Sequence, residues 1–125
     1  MLTLPAAVRI YLCTQPVDLR KSIDGLCALV RARGNDLYAG HLYVFRGRRA
    51  DRVKILSWDR GGFVVYYKRL ERGRFQFPKV APEATEVTLS ATQLAMLLDG
   101  LELGVKKEPI RWTPKVPNDW TTAQA

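Results

Sequence analysis

Arginine is the residue type that dominates the possible chemistry of this chain. Between Arg46 and Lys79 lie eleven basic side chains: Arg46, Arg48, Arg49, Arg52, Lys54, Arg60, Lys68, Arg69, Arg72, Arg74 and Lys79. Only Asp51, Asp59 and Glu71 oppose them in that stretch, a surplus of eight that equals the net charge of all 125 residues, +8. The rest of the chain holds nine basic and nine acidic residues and sums to zero. A guanidinium stays charged at any relevant pH and grips phosphate oxygens through two parallel N–H bonds. Positive charge packed into one contiguous third points to an anionic polymer as partner more than to an evenly basic surface.

Other chemistries find little support. His41 is the single histidine and stands at the start of an apolar stretch, a structural position. Cys13 and Cys27 are far apart in sequence and sit among apolar residues, so they read as free, packed thiols, and no zinc-ligand spacing can be drawn. Neither a nucleophile elbow nor a Walker loop occurs, and Gly61-Gly62 reads as a hairpin turn. A metal-dependent nuclease needs clustered carboxylates. Asp18 and Asp24 fall on different faces of a helix, and Asp51 and Asp59 at opposite ends of one strand. Asp18 is better read as a helix cap and Asp51 as a partner that orders neighbouring arginines. The expectation is a non-enzyme without cofactor or metal. No run of 18 apolar residues is present, and Met1–Ile10 has no signal-peptide pattern, so a cytoplasmic protein that does not span a membrane is expected.

The elements that must position the arginines follow from periodicity. Val8–Cys13 reads as a strand. A helix is predicted from an Asp18 cap to about Arg33, with Leu19, Ile23, Leu26 and Val30 on one face and Gly34 as its stop. Strands are predicted at His41–Arg46, Val53–Trp58 and Phe63–Leu70, with Phe75–Phe77 as a short further one. Their connections are too short for parallel crossovers, so they form an antiparallel meander. Ser90 and Gln93 spell a capping box, Leu89 and Leu94 a hydrophobic staple. Leu94, Leu97, Leu98 and Leu101 give the face of that second helix, and Gly100 its end. The predicted fold is α+β: an antiparallel β-meander of four to five strands with two helices packed on one face. Residues 1–104 are expected to form a single α+β domain. Residues 105–125, with Pro109, Pro114, Pro117, Trp112 and Trp120, are expected to form a Pro-rich extended tail.

Successive turns of a meander lie at alternate ends of the sheet, so the first and third share an end. That would bring Arg48, Arg49 and Arg52 to Arg72 and Arg74, with Arg46 and Arg69 flanking, as a positive rim. The candidate nucleic-acid-binding set is Arg46, Arg48, Arg49, Arg52, Lys54, Lys68, Arg69, Arg72 and Arg74. Tyr43, Phe45, Trp58, Phe63, Tyr66 and Tyr67 interleave with these residues. They serve either as core or as an exposed stacking platform for bases.

The run Gly40-His41-Leu42-Tyr43-Val44-Phe45-Arg46-Gly47-Arg48-Arg49, followed by Asp51-Arg52-Val53-Lys54-Ile55-Leu56, resembles the small TnpB-type accessory protein of the IS-sixty-six insertion-sequence family. So do Trp58-Asp59-Arg60 with Gly62, Lys68 through Phe75, and the upstream segment Asp18-Leu19-Arg20-Lys21-Ser22-Ile23-Asp24-Gly25-Leu26. The similarity runs from about Val8 to Pro78. It implies a bacterial accessory protein of transposition, encoded beside a separate DDE-type transposase that would be its partner. Together with the charge pattern, this suggests a non-catalytic protein that binds DNA backbone near the element's ends and assists the transposase. A subunit docking on the transposase without touching DNA, and an RNA-binding regulator, are the alternatives.

Overall fold

The computed structural model describes residues 7–100. Five strands form one sheet: β1 Ile10–Cys13, β2 Leu42–Arg46, β3 Arg52–Asp59, β4 Gly62–Arg69 and β5 Glu86–Leu89, in the order β4-β3-β2-β1-β5. Helix α1, Ile23–Ala32, lies between β1 and β2, and α2, Ala91–Leu98, follows β5. The meander β2-β3-β4 is antiparallel, with Val44 opposite Ile55 and Leu56 opposite Val65. Its second turn is a two-residue connection in which Arg60 and Gly61 both have positive φ, 46° and 87°. Two left-handed residues match the twist of the flanking strands, which is why so tight a hairpin closes here.

The sheet is mixed, which corrects the expectation of a purely antiparallel one. β1 runs parallel to β2, with Ile10 opposite Leu42 and Leu12 opposite Val44. The segment joining them carries α1 and is long enough for the crossover that parallel pairing requires. Phe75–Phe77 is not a strand. The Phe75 N–H donates to the Ala50 carbonyl (2.7 Å) and its ring is buried, so this stretch is a strap tied to a turn. The fifth strand is Glu86–Leu89 instead, antiparallel to β1.

A second correction concerns the helices, which cover opposite faces. Leu94, Leu97 and Leu98 of α2 pack with Ile10, Leu12, Val44 and Val53. Leu26, Cys27 and Val30 of α1 pack with Cys13, Tyr43, Phe45 and Leu56. Successive strand residues point to opposite faces, and the runs Ile10–Cys13 and Leu42–Phe45 are apolar at nearly every position. Strands of that kind need cover on both sides. The first helix is also shorter than predicted. Asp18 does not cap it: its carboxylate accepts the Arg20 N–H (2.9 Å), closing a local turn, and the helix starts after Ser22. Gly34, with φ 77°, donates its N–H to the Arg31 carbonyl and ends the helix as predicted.

The punctuation of α2 is as predicted. Ser90 Oγ accepts the Gln93 N–H (3.1 Å), and the Gln93 side chain accepts the Ser90 N–H (2.9 Å). Leu89 and Leu94 are buried in the same cluster. Leu101 and the predicted tail over residues 105–125 lie outside the described residues. Among the described residues no helix is long and apolar enough to cross a membrane. Replacing an N-cap serine by alanine costs about 1 kcal/mol. Ser90→Ala should therefore lower the thermal midpoint by about 4–8 °C for a domain near this size. A calorimetric scan showing no change would mean that the box contributes nothing.

Candidate functional site

The turn between β2 and β3 carries the densest charge, and its backbone is tied on several sides. The Ala50 N–H donates to the Gly47 carbonyl (3.2 Å), which places Arg48 and Arg49 at the two corners of a β-turn. Ala50 follows in the left-handed region, at φ 62°. The Val17 N–H reaches the Arg46 carbonyl (2.9 Å), and the Leu70 N–H reaches that of Asp51 (2.8 Å). With the Phe75 bond to Ala50, the loop before α1 and the strap after β4 are both moored to this turn.

Between the Pro16–Arg20 loop and this turn lies a cleft of about 680 Å³. Arg20, Arg48, Arg49 and Arg52 line it, together with Asp18, Asp51 and Tyr67. Arg20 is engaged by Asp18 (2.9 Å), and Arg52 Nε lies 3.8 Å from Asp51. Arg48 and Arg49 are exposed and form no ion pair among the described residues. Arg52 Nε is buried and has no hydrogen-bond partner among the described residues. Arg52 also sits directly opposite Arg69 in the sheet register. Like charges in that relation repel, so the arrangement favours an anion on this side.

The nine candidate residues do not form a single patch. Register places Arg46, Arg52 and Arg69 at one end of the sheet, and the strap bonds hold the segment bearing Arg72 and Arg74 beside the first turn. Arg48, Arg49 and Arg52 come together in the cleft. Lys54 is beside it: its ammonium donates to the Lys21 carbonyl (3.2 Å) and stands 5.3 Å from the centre of the Tyr67 ring. Arg46 and Lys68 face the opposite side of the sheet. Arg46 lies over Phe77 (4.4 Å), where burial pulls its guanidinium below the ordinary pKa, and Lys68 donates to the Leu98 carbonyl at the end of α2 (2.7 Å).

The aromatic residues divide in the same way. Tyr43 and Phe45 are core, and burial pushes the Tyr43 hydroxyl up to about 12. Trp58 packs edge to face with both Phe63 and Tyr38, and the Tyr38 and Phe63 rings meet at a tilt of 44°. Tyr66 and Tyr67 are exposed, Tyr67 by half. His41 accepts the Arg9 N–H (3.0 Å) and stands edge-on to Tyr11, a structural role. Cys13 and Cys27 are free and buried, and burial raises the Cys27 thiol pKa. Among the described residues no three His, Cys, Asp or Glu side chains gather to hold a metal.

Residues 8–108 match the family described as IS66 Orf2 like protein. The chain belongs to that family. It is similar to the uncharacterized protein y4jC of Sinorhizobium fredii (strain NBRC 101917 / NGR234), 40% identical over 111 residues that cover 87% of this chain and 93% of that protein. The uncharacterized protein y4hO of the same organism is 34% identical over 109 residues, 86% of this chain and 90% of that protein. No solved structure matches this chain significantly. Membership of the IS66 Orf2-like family suggests an accessory role in insertion-sequence transposition, in association with the transposase of such elements.

Two cleft residues of this IS66 Orf2-like chain escaped the sequence reading of the site. Arg20 and Asp18 look like the first turn of a helix, but their i, i+2 spacing also fits an Asx turn, and that turn brings Arg20 to the cleft. The bond from Arg20 holds the Asp18 carboxyl down at about 2, against an ordinary 3.8. A depressed carboxyl pKa contributes to the folded state above its ordinary value and loses that contribution as pH falls through the lowered one. In an NMR titration the Asp18 carboxyl carbon should therefore turn over near pH 2. Arg20→Ala should return it toward 3.8, and an unchanged midpoint in that variant would show that Arg20 is not its cause.

Proposed function

We propose that this protein is a non-catalytic accessory of insertion-sequence transposition. It binds DNA backbone near the ends of its element and helps assemble the transposase there. The observation that carries this reading is the tying of two arginine-bearing segments, the β2–β3 turn and the strap after β4, to one end of the sheet. The contact set is Arg48, Arg49, Arg52, Arg69, Arg72 and Arg74, joined by Arg20. Lys54 borders it. Arg46 and Lys68, which have partners on the other face, contribute less. Arginines on turns grip phosphates, and contacts of that kind leave sequence unread.

Affinity for duplex DNA should then fall steeply with salt and vary little with sequence. Each phosphate neutralised adds about 0.9 to the log–log slope, so four or five arginines on one duplex give roughly −4. Arg48→Ala with Arg49→Ala should lower that magnitude by about 2 and weaken all sequences alike. Arg31→Ala, on the exposed end of α1, should change little. Should the double variant keep its DNA affinity and salt slope while transposition in cells fails, this surface docks on the transposase instead.

A further inference from the structure

Within the DNA-binding reading above, on which this inference rests, the cleft has features that a duplex does not use. An intact duplex keeps the π-faces of its bases stacked inside and offers an arginine surface its phosphates and base edges, but no ring to stack on. It is too wide to enter a cleft of about 680 Å³, a size in the range of small-molecule sites, roughly 300–1,000 Å³. Yet the cleft wall includes the half-exposed ring of Tyr67. Lys54 stands against that ring, and the β3–β4 register fixes the pair, with Lys54 opposite Tyr67. The charge is also modest: four guanidiniums less the carboxylates of Asp18 and Asp51 leave a surplus of two. That balances one or two phosphates, not a duplex turn. Asp18 holds the Arg20 guanidinium at 2.9 Å, whereas Asp51 stands 3.8 Å from Arg52 Nε, so Arg48, Arg49 and Arg52 are left to meet the ligand.

We propose that the cleft between the Pro16–Arg20 loop and the Gly47–Arg52 turn holds a single unpaired nucleotide of DNA, its base against Tyr67 and its phosphate between Arg48, Arg49 and Arg52. The protein would thereby favour duplex with an unpaired end or a flipped base over continuous duplex. Stacking on an aromatic side chain is sequence-tolerant, because every base has a π-face. The preference is therefore for structure rather than sequence.

The test uses the full chain and four fluorescent probes at fixed salt: a blunt duplex, the same duplex with a three-nucleotide DNA overhang, one with an RNA overhang, and the single strand. The DNA overhang should bind about tenfold tighter than the blunt duplex, and 2-aminopurine placed in it should be quenched on binding. Tyr67→Ala should abolish the preference and the quenching while leaving blunt-duplex affinity within about twofold. Tyr67→Phe should keep both. Equal affinity for blunt and overhang probes, with the Arg48/Arg49 salt slope intact, overturns the nucleotide site and leaves backbone binding standing. A preference that survives Tyr67→Ala overturns it as well. Tighter binding of the RNA overhang than of the DNA one overturns DNA as the ligand. No binding to any probe overturns both this inference and the DNA reading beneath it.

Discussion

The β2–β3 turn is held by main-chain hydrogen bonds, and the rest of the site takes its geometry from them. Carbonyls of Arg46, Ala50 and Asp51 accept N–H groups from Val17, Phe75 and Leu70, at 2.7–2.9 Å. Each such bond nets only about 0.5–1.5 kcal/mol, but a donor left unpaired and buried costs more. Phe75 adds an anchor, since its ring is inserted in the core beneath the strap. Ala50 sits in a left-handed conformation that costs an L-residue roughly 1–2 kcal/mol. It stays there because its carbonyl is bonded from the strap and its side chain is nearly enclosed. With the backbone fixed in this way, Arg48 and Arg49 need no ion pairs to hold their place.

That rigidity lets the fold tolerate crowded positive charge. Two unit charges a few ångströms apart repel by about 1 kcal/mol in water and by several times that where solvent is partly excluded. Arg52 and Arg69 are directly opposite in the register, and Arg48 and Arg49 are adjacent. Asp51 relieves one of these contacts at long range, 3.8 Å, and leaves the Arg52 Nε without a hydrogen bond. The remaining repulsion is a standing term that a bound anion removes. Arginine suits this task better than lysine, because a planar fork can satisfy two oxygens at once and is more weakly hydrated.

Much of this was legible in the sequence, and the failures have physical causes. The meander, the Gly61 turn, the capping box and the Gly34 stop are local rules written over a few residues, and each is present in the structure. The direction of β1 is not local: it depends on whether α1 crosses over the sheet, which periodicity cannot reveal. Opposite-face helices were in fact implied by the unbroken apolar runs at Ile10–Cys13 and Leu42–Phe45, which alternation alone would have made polar on one side. β5 is four residues long with exposed Thr88, and so gives little pattern. Arg20 joined the site through a turn that competes with helix formation, a choice settled by the side chain of Asp18 binding its own local backbone.

Counting basic residues also mixes two populations that only contacts can separate. Lys68 donates to the Leu98 carbonyl at the end of α2, where the helix dipole welcomes a cation. Arg46 is laid over Phe77, and Arg33 donates to the Thr85 carbonyl and the Cys13 sulfur. These three fasten helices and loops to the sheet, and their charge is largely spoken for. Arg48, Arg49, Arg69, Arg72 and Arg74 are exposed, and among the described residues their side chains fasten nothing to the core. A residue that neither packs nor pairs, on a turn that the fold clamps from three sides, adds repulsion without adding structure. On the function proposed above, such a residue is there to meet a phosphate outside the chain, beside a cleft that adds one tyrosine ring and the Asp18-bound guanidinium of Arg20.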